Sequence, residues 1–153
     1  MTGEKNLNSG RRLHHVGYVV RSIPEAAERF IAGLGLTWDG AVFHDPIQTV
    51  RVTFLAHEQP DQPLYELVEP DSEKSRVMPF LKKGGGLHHV CYEVDSMRSH
   101  IEEVLARGAI LLRPPAPAVA FSGREIAWLC TPDGLLLEYL DKLQRFHRPP
   151  GSN

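Results

Sequence analysis

The chain is poor in cysteine, in net charge and in long apolar runs, and each shortage narrows what it can be. Only two cysteines, Cys91 and Cys130, occur in 153 residues. Two cannot build a disulfide framework in a chain this size, and both lie in apolar, strand-like runs that suit buried free thiols. Charge is nearly balanced, with 17 basic and 19 acidic side chains for a formal net charge of −2. No long block of like charges is present either, so nothing favours a nucleic-acid partner. No apolar run approaches the about 18 to 20 residues of a membrane helix, and residues 1–12 are polar where a signal peptide would be apolar. A cytoplasmic protein with no membrane and no nucleic-acid partner is the expectation. With 42% hydrophobic residues, the chain can bury one domain-sized core.

What the chain has instead is an internal repeat. Leu13-His14-His15-Val16-Gly17-Tyr18-Val19-Val20 returns 74 residues later as Leu87-His88-His89-Val90-Cys91-Tyr92-Glu93-Val94, with six of eight positions kept. Ser22 and Ser96, again 74 apart, each precede a stretch of helical character. Ser22-Ile23-Pro24-Glu25 has the form of a capping box with proline in the first turn, and that helix should stop at Gly33. In the second copy Ile101, Val104 and Leu105 repeat with helical spacing over 97–107, ahead of Gly108. Three strands should follow each helix, at 36–42, 49–57 and 64–69, then at 109–112, 125–130 and 135–140. Each half thus reads βαβββ. Between them, 75–83 suggests a short helix and Gly84-Gly85-Gly86 a flexible joint. That glycine run is no phosphate loop, because it leads into a strand rather than a helix. The organisation expected is one domain over 13–142, made of modules 13–70 and 87–142 joined by 71–86, with tails at 1–12 and 143–153.

Strict alternation along a strand puts His15 with Leu13, Gly17 and Val19, and His14 with the bulkier Val16, Tyr18 and Val20. His89 likewise goes with Cys91 and Glu93, so the second His of each pair suits a cleft. The last strand of each module carries a carboxylate in an apolar run, Glu66 and Glu138, 72 apart. A carboxylate among leucines costs several kcal/mol unless a cation or donors meet it, so something positive should face Glu138. Two neutral nitrogens and two anionic oxygens, one of each per module, suit one divalent ion such as zinc, cobalt, nickel, manganese or iron, with coordination positions left open for a substrate. The metal set is therefore His15, Glu66, His89 and Glu138. His44, His57, His100 and His147 have no repeat partner and are expected on the solvated surface.

These paired modules, with His on each first strand and Glu on each last strand, resemble the vicinal-oxygen-chelate superfamily of glyoxalases, bleomycin-resistance proteins and dioxygenases. Within it the chain is most similar to methylmalonyl-CoA epimerases, through Leu13-His14-His15-Val16-Gly17, Glu66-Leu67-Val68-Glu69-Pro70 and the run from Phe80-Leu81-Lys82-Lys83 to Gly86-Leu87-His88-His89-Val90. The resemblance implies an α+β fold in which two βαβββ modules form an open, cleft-shaped, barrel-like sheet, and the same four metal ligands. It also implies a metal-dependent epimerase or isomerase acting by α-proton abstraction on an acyl thioester, with Glu138 and Glu66 as catalytic groups, in a homodimer. Two departures stand out. Cys130-Thr131-Pro132-Asp133-Gly134 replaces the His-Pro-Lys segment common in epimerases, and Val52 stands where some place a catalytic Glu. The apolar stretch at 113–121 would edge the cleft and suggests a less charged acyl group than malonyl. A glyoxalase I-like lyase and a non-catalytic small-ligand binding protein are the alternatives.

Overall fold

In a computed structural model, residues 9–142 are described. The first strand, β1 (Arg11–Val19), begins inside the expected N-terminal tail because Arg11 and Arg12 pair with Val94 and Glu93. The rest of both tails, with His147, lies outside the described residues. Then come α1 (Ile23–Leu34), β2 (Phe43–Asp45), β3 (Val50–Leu55), β4 (Leu64–Pro70) and α2 (Met78–Lys82). The second half comprises β5 (Gly86–Val94), α3 (Met97–Leu105), β6 (Ile110–Pro117), a 3₁₀ turn (Val119–Phe121), β7 (Glu125–Cys130) and β8 (Leu136–Asp141). No helix among the described residues is long and apolar enough to cross a membrane.

All eight strands form one mixed sheet in the order β2-β3-β4-β1-β5-β8-β7-β6. The order is palindromic about its centre: β1 runs parallel to β4, β5 runs parallel to β8, and β1 and β5 lie antiparallel. Each half is therefore one βαβββ module, and the sheet curls into the open half-barrel expected from the sequence. On its outer face α1 packs Ile23, Ala26 and Ala27 against Leu55 and Leu67, while α3 packs Met97 and Ile101 against Ala127, Leu129, Leu137 and Tyr139. Two further clusters, around Val50, Val52 and Val68 and around Cys91, Ile126 and Leu140, line the inner face. Because side chains alternate along β4 and β8, burying Leu67 and Leu137 outward turns Glu66 and Glu138 inward.

Local chemistry explains where the elements depart from expectation. The Ser22 hydroxyl accepts from the Glu25 amide at 3.4 Å as anticipated, but α1 runs past Gly33 to Gly35, whose φ of 67° and bond to the Ile31 carbonyl close it. The strand expected over 36–42 is broken: Asp39 Oδ1 accepts from the Ala41 amide at 2.9 Å, Gly40 has φ +80°, and only Thr37 bridges Ala56 before β2 begins at Phe43. Conversely β6 continues through three prolines, tolerated because it is an edge strand and its register shifts between Arg113 and Ala116. The glycine joint is a defined turn rather than a loose one. Gly84, Gly85 and Gly86 all have positive φ, and a β-carbon on Gly85 would sit 2.7 Å from the Val19 carbonyl oxygen. His100 is buried, not solvated, with Nε2 3.0 Å from Asp95 Oδ1. Of the two thiols, Cys91 is buried and Cys130 half-buried.

Candidate metal centre

The central strand pair carries the two histidines and the strands flanking it carry the two glutamates. Register does the positioning: Gly17 on β1 lies opposite both Glu66 and His89, and Cys91 on β5 lies opposite both Glu138 and His15. His15, Glu66, His89 and Glu138 are all buried. His15 Nε2 lies 3.2 Å from His89 Nε2 and 3.2 Å from Glu66 Oε2. His89 Nε2 is 3.1 Å from the same Glu66 oxygen, and Glu138 Oε1 is 3.3 Å from His15 Nε2. The fold thus brings together all four residues singled out from the repeat, three in mutual contact and Glu138 against His15.

The spacing suits one ion. Ligands at about 2.1 Å from a common centre are about 3.0 Å apart along an octahedral edge and about 3.4 Å apart in a tetrahedron. Among His15, Glu66 and His89 the observed separations of 3.1 to 3.2 Å fall between these, while Glu138 joins the group through His15, at 3.3 Å. Glu138 Oε1, moreover, is buried with no well-aligned hydrogen-bond donor, His15 Nε2 approaching it at 3.3 Å, which is costly for a carboxylate oxygen unless a cation meets it. The same field stabilises a proton on His15. Burial alone would depress its pKa, but the charge of Glu66 and the bonds to both carboxylates raise it to about 10. Glu66, despite burial, is held well below the usual carboxylate range by His15.

The first histidine of each pair does not point away, as strict alternation along the strand would require. The β1–β5 ladder slips by one residue between Leu13 and His15 and again between Gly17 and Tyr18, where His88 lies on the facing strand. These two bulges rotate His14 and His88 toward the site. His14 Nδ1 meets His15 Nδ1 at 2.8 Å, and His88 Nδ1 meets His89 Nδ1 at 2.9 Å. Desolvation, with the neighbouring His15 or His89, lowers the pKa of His14 and of His88 to about 4. The signal available in the sequence was the doubling of the whole His-His pair, which a single ligand per strand leaves unexplained.

Aromatic rings hold the imidazoles in place: Phe121 stacks on His15 with centroids 5.9 Å apart, and Trp128 meets His89 edge-on at 4.7 Å. Gly17 leaves the room His89 needs, since a β-carbon there would lie 2.0 Å from His89 Cε1. Glu66, His89 and Glu138 line a cleft of about 230 Å³ walled by Val50, Val52, Val68, Ile126 and Trp128. Exposed Arg76 and half-buried Arg113 stand at its mouth, with Arg113 donating to Gln48 Oε1 across the two modules at 2.8 Å. The stretch at 113–121 therefore brings a cation to the cleft as well as apolar contacts.

Known proteins share this architecture. The family model described as the Glyoxalase/Bleomycin resistance protein/Dioxygenase superfamily matches residues 14–128. The ethylmalonyl-CoA/methylmalonyl-CoA epimerase of Cereibacter sphaeroides is 32% identical over 131 residues, covering 83% of this chain and 95% of that protein. A hypothetical protein of Bacillus halodurans superposes with a TM-score of 0.76 at 29% identity, over 94% of this chain and 99% of that one. Methylmalonyl-CoA epimerase from Mycobacterium tuberculosis shares the fold with a TM-score of 0.73 at 23% identity, over 86% of this chain and 88% of that one. With the matched sequence, the doubled module and the curled eight-stranded sheet in agreement, this chain belongs to the glyoxalase/bleomycin resistance protein/dioxygenase superfamily.

Proposed function

We propose that the protein is a divalent-metal-dependent epimerase that exchanges the α-proton of an acyl thioester. The observation carrying this reading is the convergence of two imidazoles and two carboxylates, contributed equally by the two modules, at a cleft walled by Val50, Val52, Val68, Ile126 and Trp128. An ion held by His15, Glu66, His89 and Glu138 would polarise the thioester carbonyl as a Lewis acid and so acidify the adjacent C–H. The 32% identity to an ethylmalonyl-CoA/methylmalonyl-CoA epimerase supports the substrate class, and the Arg76 and Arg113 cations at the mouth suit an anionic thioester such as an acyl-CoA.

Within the cleft the residues divide the work. Glu138, whose Oε1 has no well-aligned hydrogen-bond donor, takes the α-proton, and Glu66, once it has itself taken up a proton, delivers one to the opposite face, each step contributing about 10² to 10⁴-fold. Val52 presents only a buried apolar wall to the cleft, so in this reading both proton transfers fall to the glutamates of the centre. The Val50, Val68, Ile126 and Trp128 walls keep bulk water from protonating the carbanion directly, so that solvent label reaches the α-carbon through the catalytic groups. The homodimer belongs to the same proposal, and light scattering in solution tests it.

Elemental analysis of natively purified protein, followed by deuterium incorporation from D₂O into acyl-CoA thioesters, tests the function. About one divalent ion per chain, with label at the α-carbon, is the expected result. Glu138→Gln keeps an oxygen but cannot take the proton, so exchange should fall by about 10² to 10⁴-fold with the fold intact. Wild-type exchange in that variant with metal bound would place the base elsewhere. Turnover of a hemithioacetal without thioester exchange would replace the epimerase reading with the glyoxalase one.

A further inference from the structure

Beside the four residues of the candidate centre stand two inward-rotated histidines, His14 and His88. A strand that needs only one inward His per module needs no bulge, yet the ladder slips at both places, and each slip brings a second imidazole within hydrogen-bonding distance of the first. The pairs match in detail. Nδ1 faces Nδ1 at 2.8 Å and 2.9 Å, and the rings cross at 81° and 88°. In each pair the Nε2 of the second ring points into the centre, where His15 and His89 approach one another at 3.2 Å.

Tautomer chemistry gives this geometry a meaning. An imidazole that offers its Nε2 lone pair to a cation must carry its proton on Nδ1, and that proton needs an acceptor. Two rings meeting Nδ1 to Nδ1 can share one proton between them, and only one of the two can own it. We propose that His14 and His88 are positioning residues of the metal centre: each accepts the Nδ1 proton of His15 or His89 and so fixes that ring's tautomer and angle, with Nε2 aimed at the ion. Each is then neutral, with its own proton on Nε2. The two sites differ in their surroundings. His14 is packed against Phe54 and Phe121, whereas His88 meets Phe80 and also lines the cleft. His14 is thus the cleaner probe, since no substrate is needed to read its effect.

The proposal rests on the metal-centre reading, and its test separates the two. Cobalt(II) is titrated into metal-free protein, following visible absorption and heat, for the parent, His14→Leu and His14→Asn. Leucine removes the acceptor; asparagine restores one, because its Oδ1 occupies about the place of Nδ1. Loss of an outer partner of this kind weakens binding about 10- to 100-fold, so His14→Leu should bind cobalt that much more weakly while His14→Asn recovers most of the parent affinity. His88→Leu and His88→Asn should behave alike. Parent-like affinity in both leucine variants overturns the proposal and leaves the metal centre standing. A parent protein that binds no cobalt overturns both. Should the leucine variants fail to fold, ¹⁵N NMR of the zinc-loaded parent decides: protons on Nδ1 of His15 and His89 are expected, and protons on their Nε2 atoms refute the assignment.

Discussion

Gly17→Ala adds one methyl group directly against the His89 ring. Gly17 has no positive φ to defend, so the backbone accepts alanine, and the whole effect comes from the new β-carbon. That atom would fall 2.0 Å from His89 Cε1 and 2.5 Å from both ring nitrogens. Carbon atoms in contact rest about 3.5 Å apart, so the ring must withdraw by about 1.5 Å. It has little space in which to do so, since Trp128 stands behind it with centroids 4.7 Å away and His88 holds its Nδ1 at 2.9 Å. Overpacking of this kind costs about 1–3 kcal/mol, or about 3–9 °C in melting temperature for a chain of this length. The functional cost is larger, because a displacement of about 1 Å at a reacting centre removes about 10²-fold in rate. Calorimetry of the metal-free variant and cobalt titration should show a lowered melting temperature together with weakened binding. Gly33→Ala is the control. It lies within α1 with nothing inside 4 Å of its would-be methyl, and it should stabilise the protein by about 0.5–1 kcal/mol. Parent-like stability and cobalt affinity in Gly17→Ala would refute the packing argument.

The remaining expectations concern charge and reactivity. In metal-free protein the raised His15 pKa, about 10 against 6.5, contributes stability that is complete below pH 6.5 and is lost as pH rises toward 10. The depressed Glu66 pKa contributes stability present above its ordinary 4.5 and lost as pH falls; a urea midpoint that stays flat from pH 6.5 to 10 would contradict the pairing. Because an ion must displace the His15 proton, apparent metal affinity should climb over the same rising interval. Burial and the neighbouring Glu138 keep the Cys91 thiol protonated, so DTNB should titrate Cys130 in the folded protein and Cys91 only after denaturation. Arg113→Gln removes a charged donor worth about 1.5–3 kcal/mol, so the KM for an acyl-CoA should rise about tenfold or more with kcat little changed; an unaltered KM would take Arg113 out of substrate binding.

Much of this architecture is legible in the sequence because duplication doubles each signal. One His on one strand is ambiguous, but His15 and His89 at the same place in two copies, with Glu66 and Glu138 on the matching last strands, ask for a common cause, and the structure sets them within 3.1 to 3.3 Å of their partners. What alternation cannot reveal is its own interruption. The bulges at His14 and His88 arise from pairing between strands 74 residues apart, and no local pattern encodes such a slip. The break at Asp39-Gly40 is hidden for the opposite reason: the apolar residues around it suggest a continuous strand, while the Asp39 side chain turns the backbone. Arg113 is obscured by the prolines that follow it, and His100 by a polar stretch of sequence that gives no sign of its packing near Tyr139 on the last strand.

The palindromic order of the sheet makes the β1–β5 seam an interface between two half-size proteins that happen to share a chain. Neither half carries all four residues of the proposed metal centre, and the chain passes from one half to the other through the turn at Gly84, Gly85 and Gly86. Cutting the gene there should yield two fragments that complement one another, with the ion as the bond that replaces the peptide. Reassembly would then depend on metal concentration. The same logic describes how such a chain could arise, from a small homodimer whose two identical subunits, each bringing one His and one Glu to a shared axis, were later joined end to end.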